Sequence, residues 1–322
     1  MSNVETLNIQ NKAIKMIKNL IRKEADKDKT AFGFLYFAGY RYWTASLLPA
    51  LVGTTLPFWL NPPGFSFKWL GAIEFLCATV LFHAGFSFLH ARFEDRFTTS
   101  WPKSRLFRTG ITCLCAAFLI ALHLNYNLQL NKFVHEYIFI IYGVTTIFIG
   151  VLYVTPPFSF CKRVGGEIIL SVGFGMIPVL GAYLIQAGDL TRTVYLASLP
   201  LVVSTGLWIW VSELVNRVDD EKSGHNTMVM IFTPRFSGRY VTLVLTILLY
   251  LTLIMAVFAR PSLEPLSLIA LLSLGLALKI VTVTWNDYAN VTKMLKVRTY
   301  AFLIHLAICI IIFASSLTAL LL

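Results

Sequence analysis

Nine apolar stretches, most close to twenty residues long, follow one another along this chain, near residues 37–60, 69–90, 107–129, 137–154, 165–187, 193–215, 240–259, 264–285 and 300–322. A helix needs roughly 20 such residues to cross a hydrocarbon core about 30 Å thick. A chain that repeats the pattern this often has little choice of solvent. Only 13% of its residues are charged, about half the share usual in a soluble domain. The expected fold is therefore an all-α integral membrane protein, with about nine transmembrane helices in one bundle over residues 31–322.

The net charge of +11 could suggest nucleic acid, but its distribution argues for a membrane. With the N-terminus on the cytoplasmic side, the internal connections and the N-terminal tail receive 21 of the lysines and arginines, and the external ones receive Lys68, Lys132, Arg192 and Arg260. Such an excess sets orientation by the positive-inside rule. The expected location is the cell's inner (plasma) membrane, with the N-terminus cytoplasmic, the chemistry facing the cytoplasm and no nucleic-acid partner. Residues 1–30 lack the apolar run and small-residue cleavage site of a signal peptide. Within them Ile9, Ala13, Ile17, Leu20 and Ile21 share a helical face against lysines and Arg22, the pattern of a basic amphipathic segment lying on anionic lipid. The five cysteines are scattered and read as packing residues. The six histidines have no metal-ligand spacing.

The external connections are short, whereas two internal ones are long and of mixed charge, and long loops of this kind tend to carry function. The connection after the sixth span contains Glu213, Asn216, Arg217, Asp219, Asp220, Gly224 and His225. Glu213, Asn216 and Asp220 are spaced by three and four, so they share a helical face. Oxygen ligands so placed suit magnesium carrying a diphosphate, although the same residues also suit a solvated loop. The connection after the second span holds His90, Arg92, Glu94, Asp95, Arg96, Arg105 and Arg108. With more arginines than acids it resembles an anion clamp, since guanidinium forks match phosphate oxygens. Arg41, Glu74, Glu167, Glu213 and Lys279 fall inside or at the ends of spans, where a charge costs several kcal/mol and tends to line a cavity. Glu74 and Lys279 could pair or snorkel.

Three blocks resemble the UbiA superfamily of intramembrane prenyltransferases, especially its menaquinone-pathway (1,4-dihydroxy-2-naphthoate prenyltransferase-like) branch. The first runs from Arg41 through Leu47, Leu48 and Pro49 to Gly53 and Thr54. The second comprises Tyr153 to Pro157, then Gly166 and Glu167, Gly173 to Gly175, and Gly181 to Gly188. The third is Ser212 to Thr227, similar to the family's second aspartate-rich motif. Where the first motif has Asn and Asp, this chain has Ala91 and Arg92, keeping Asp95. In the second motif it has Ser212 for Asn and Asn216 for the first Asp, keeping Glu213, Asp220 and Gly224. The tract Asn286 to Asn290 echoes the first motif in a different loop.

The resemblance implies transfer of an isoprenoid group from a polyprenyl diphosphate to a lipophilic acceptor, an aromatic quinone precursor being one class, with Mg2+ as cofactor and membrane lipid as surroundings. It implies Asp95, Asp220 and Glu213 as catalytic residues, and Asp95, Asp219, Asp220 and Glu213 as metal ligands. Arg41, Arg92, Arg96, Arg105, Lys162, Asn216 and Tyr153 would bind substrate. The altered motifs leave two alternatives: a terpene cyclase on the same fold that needs no acceptor, and a non-catalytic isoprenoid-binding paralogue.

Overall fold

The structure, a computed structural model, describes residues 31–94, 101–127, 138–235, 238–259, 261–288 and 290–319. The N-terminal basic segment lies outside the described residues. The helices are α1 (Ala31–Phe37), α2 (Thr44–Leu60), α3 (Trp69–Phe93), α4 (Lys103–Asn127), α5 (Ile138–Val154), α6 (Gly166–Gly175), α7 (Ile177–Ala187), α8 (Arg192–Lys222), α9 (Met228–Arg235), α10 (Arg239–Phe258), α11 (Leu274–Asp287) and α12 (Val291–Thr318). Short 3-10 turns cover Tyr40–Tyr42, Phe160–Lys162 and Pro265–Ser273.

Each of the nine expected apolar stretches meets a helix, and seven of these are long and apolar enough to cross a membrane: Trp69–Phe93, Lys103–Asn127, Gly166–Ala187, Arg192–Lys222, Arg239–Phe258, Pro265–Asp287 and Val291–Thr318. The other two, α2 and α5, have 17 residues each. The chain ahead of α2 turns through Gly39, at φ 73°, into the 3-10 turn, so the apolar run that begins at Phe37 does not become one helix. At the far end Asn61 takes a left-handed conformation, followed by two prolines that cannot continue a helix. The run 165–187 reads as one span but folds as two helices that meet at Met176.

Helices α3 and α4 form an extensive antiparallel pair, and α8 packs along α12, α10 and α6, while α2 lies between α7 and α12. One large apolar core runs through α2, α7, α8, α10 and α12, with Leu201, Leu207, Val211, Leu253, Ile304 and Ile308 fully buried. Without a hydrophobic drive between helices in lipid, close approach of backbones becomes the main source of packing energy. Gly53 illustrates this: a Cβ there would stand 2.2 Å from the Val179 carbonyl oxygen, so α2 and α7 touch main chain to main chain.

The ends of the bundle differ. At one end the Lys68 amide donates to Gln186 Oε1 (2.9 Å), Gln186 Nε2 donates to the Lys68 carbonyl (3.1 Å), and Lys68 Nζ donates to the Ile185 carbonyl (3.0 Å). Burial lowers the Lys68 pKa from its usual value. Glu74 on α3 pairs with His123 on α4 at 3.1 Å, so its partner is on the neighbouring helix and Lys279 is exposed on α11. The opposite end collects most of the described acidic side chains and the candidate site.

Candidate functional site at the charged end of the bundle

Helix α3 ends at Phe93, leaving Glu94 extended and only 2% exposed. Helix α8 ends at Lys222, and the chain reverses through Gly224, whose φ of 69° is left-handed. A glycine adopts this without the Cβ penalty. The reversal lets the His225 amide donate back to the Asp220 carbonyl (3.0 Å) and the Asn226 amide donate to the Lys162 carbonyl (2.8 Å). Arg163 and Asn226 form an isolated bridge. The connections after α5 and α8, far apart in sequence, are thereby joined through the main chain.

Side chains close the same junction. His225 stands between two carboxylates, with Nε2 3.5 Å from Glu94 Oε2 and Nδ1 3.5 Å from Asp220 Oδ1. Lys162 Nζ lies 4.0 Å from Glu94 Oε1 and donates to the Phe93 carbonyl at 3.3 Å. His90 Nε2 is 3.9 Å from Glu94 Oε2. Glu94, Asp220 and His225 are all buried, so the carboxylate charges act at short range with little solvent screening.

A second junction lies alongside. Glu167, in the first turn of α6, accepts the Met228 amide at 2.7 Å through Oε1 and thereby caps α9. Its Oε2 and the Thr227 Oγ1 are buried with no hydrogen-bond partner. Tyr153, at the end of α5, lies within electrostatic reach of Cys161, Glu213 and Glu167. Arg217 donates to the Tyr288 carbonyl (3.0 Å) and stacks over the Tyr288 ring, while Asp287 pairs with Lys293 at 2.8 Å. The Asn286 to Asn290 tract therefore spends its acid on its own loop.

The expected site residues divide accordingly. Asp220 and Lys162 meet in the ionic junction, and Tyr153 and Glu213 in the neighbouring one. Asn216 is half-buried on α8, and Asp219 is exposed one residue before Asp220. Arg92 is half-buried with its guanidinium 5.2 Å from the Phe93 ring centroid. Arg105 is exposed and stacks over Trp101 at 4.0 Å; with Arg108 and Phe34 it lines an open cleft of about 490 Å³ that no residue of the ionic junction borders. Arg41 occupies the 3-10 turn before α2, and its side chain lies outside the described part of the structure. Asp95 and Arg96 lie outside the described residues. Two residues of the junction were not among the expected ligands. Glu94 adjoins the retained motif acid, and His225 directly follows the motif glycine. Only long-range proximity gives them a role.

Among the described residues the donor set does not fit a magnesium cage. Among the described residues no group of three or more His, Cys, Asp or Glu side chains could hold a metal. Asp220 faces His225, Asp219 is exposed, and Glu213 lies within electrostatic reach of Tyr153, so these three described acids stand in different surroundings.

Comparison with known proteins gives a consistent result. The UbiA prenyltransferase family model matches residues 102–306. Among solved structures, an apo UbiA homolog from Aeropyrum pernix K1 superposes with a TM-score of 0.61 at 16% identity, covering 88% of this chain and 98% of its own. A UbiA homolog from Archaeoglobus fulgidus bound to DMAPP and Mg2+ gives 0.56 at 14% identity, covering 86% and 99%. The same homolog bound to GPP and Mg2+ gives 0.53 at 14%, covering 87% and 99%. At these identities the likeness establishes the fold. Comparison with curated protein sequences finds no match.

Proposed function

This chain belongs to the UbiA prenyltransferase family, and on that premise we propose that it is a membrane prenyltransferase that transfers an isoprenoid group from a polyprenyl diphosphate to a lipophilic acceptor. The acceptor class we propose is an aromatic quinone precursor, as in the menaquinone-pathway branch. The proposed topology has nine crossings, with α2 and α5 as the two short ones, the N-terminus inside, and the charged end facing the cytoplasm at the inner membrane. The single observation that carries the reading is the meeting of the connections after α3, α5 and α8 at one end, through Glu94, Lys162, His225 and Asp220.

The reaction requires the allylic C–O bond to break with its electron pair leaving on the diphosphate. An electron-rich acceptor carbon then bonds to the allylic carbon and loses a proton. Negative charge grows on the departing oxygens, and preorganised donors aimed at it are worth most in a water-poor site. Arg92 and Lys162, with Arg96 and Arg105 of the connection after α3 and Arg41 ahead of α2, are assigned to this task. Tyr153 is assigned to flank the cation with its ring face, and Glu213, within its electrostatic reach, is the carboxylate assigned to receive the proton. The apolar bundle excludes water that would otherwise capture the cation. Solved UbiA homologs bind DMAPP or GPP together with Mg2+; because the described carboxylates here form no cage, the steps above are assigned to side chains alone.

The test is diphosphate release by the full chain in nanodiscs, supplied with geranyl, farnesyl or geranylgeranyl diphosphate, with and without 1,4-dihydroxy-2-naphthoate. Release that depends on the acceptor, and falls about 10- to 100-fold in Lys162→Met, is the expected result. Release without acceptor, accompanied by a cyclised hydrocarbon, would replace transferase with cyclase. Isoprenoid binding with no release from folded protein would overturn catalysis in favour of the binding paralogue.

A further inference from the structure

We propose that the His225 imidazole takes, between Glu94 and Asp220, the bridging place that a divalent cation takes when two acidic loops share one, so that these two connections are held together without metal. The inference rests on the reading of this end as the diphosphate-binding end and concerns how that end is built.

Three observations converge on it. Each ring nitrogen faces a different carboxylate oxygen, at 3.5 Å in both cases, and each carboxylate comes from a different connection. The imidazole therefore fills the space between the two carboxylates, and a ring nitrogen that carries a proton can donate to the oxygen it faces. The two oxygens stand on opposite sides of the ring, roughly twice the ~4 Å that separates opposite ligands of one magnesium ion. A single ion cannot bind both while the ring is there.

The ring is also held in place by groups other than the acids it bridges. The left-handed Gly224 aims residue 225 back toward α8, its amide is fixed on the Asp220 carbonyl, and the next amide is fixed on the Lys162 carbonyl. Glu94 also has the Lys162 ammonium at 4.0 Å. Glu94, Asp220 and His225 side chains are 2%, 2% and 3% exposed, so the carboxylates are desolvated and require a positive partner. Lys162 supplies one from the chain itself, and the His225 ring closes the remaining gap between the two acids. The departures in the two motifs agree with this: Arg92 and Asn216 stand where acids are expected, which lowers the negative charge a metal would have to balance.

The experiment uses the full chain in nanodiscs and reads cation binding directly, by Mn2+ electron paramagnetic resonance and by the shift in thermal unfolding on adding 10 mM MgCl2 after EDTA. Wild-type protein is expected to show no Mn2+ binding that depends on Glu94 or Asp220 and no stabilisation by magnesium. His225→Ala exposes two buried carboxylates to each other and is expected to gain both, with at least a tenfold rise in Mn2+ occupancy that Asp220→Asn then removes. Should His225→Ala fail to fold in EDTA, folding in magnesium is the rescue the proposal requires, and failure in both media overturns it. Wild-type Mn2+ binding that Glu94→Gln or Asp220→Asn abolishes also overturns it, as does a His225→Ala protein of wild-type stability that binds no cation. Geranyl diphosphate binding is measured on the same samples. Its absence would defeat the proposed function and leave the cation readout to decide the role of His225.

Discussion

Replacing Glu167 with alanine should loosen α9 while leaving the long spans intact. Glu167 Oε1 accepts the Met228 amide at 2.7 Å, and Met228 is the first residue of α9, whose opening amides have no partner within the helix. A buried hydrogen bond to a charged acceptor contributes about 1.5–3 kcal/mol. Its loss should raise the local opening equilibrium of α9 by roughly 10- to 100-fold. Hydrogen exchange followed by mass spectrometry on the full chain in nanodiscs measures this directly. Peptides covering 228–235 should exchange faster by that factor, and those from α10 and α12 should not change. Glu167→Gln keeps an acceptor oxygen without the charge and should fall between the two. Unchanged exchange at 228–235 in Glu167→Ala would refute the capping role.

Two further outcomes follow from packing and from burial. Gly53→Ala drives a methyl group into the Val179 carbonyl and should cost about 1–3 kcal/mol, seen as a lower unfolding temperature in detergent, whereas Gly275→Ala, with open space at its Cβ, should be neutral or slightly stabilising. Lys68 is depressed by burial from its ordinary value of 10.5, so in the window just below 10.5 the unfolded chain binds more protons than the folded one. Stability should therefore rise with pH through that window. Lys68→Met should abolish the rise, and denaturation midpoints that differ from wild type by a constant amount from pH 8 to 10.5 would contradict it.

The spans were legible because hydropathy is a local property, and each apolar run meets a helix. What was not legible is where helices break for reasons of backbone geometry. Gly39 shortens α2, and the division of 165–187 at Met176 leaves no mark on hydropathy. At the charged end, the sequence singled out connections that the fold brings together but not the partners of their side chains. Glu94 and His225 are separated by 131 positions' worth of chain that no spacing argument crosses, so their pairing at 3.5 Å emerges only from the fold. Glu74 shows the same in small: two charged residues in spans invited a pairing with Lys279, and the α3–α4 hairpin supplied His123 instead.

The contacts of Asn226 with Lys162 and Arg163 are made by peptide groups, as is the return of the His225 amide to the Asp220 carbonyl. Every residue carries a backbone carbonyl and every residue except proline a backbone N–H, so replacing the side chains here with any residue but proline leaves those bonds available. A junction held in this way tolerates drift in the letters of a motif while preserving the spatial order of the connections that bear it. Ala91, Arg92, Ser212 and Asn216 thus sit on a fold shared with the solved UbiA homologs, and a search keyed to acidic letters alone would overlook chains built on the same plan.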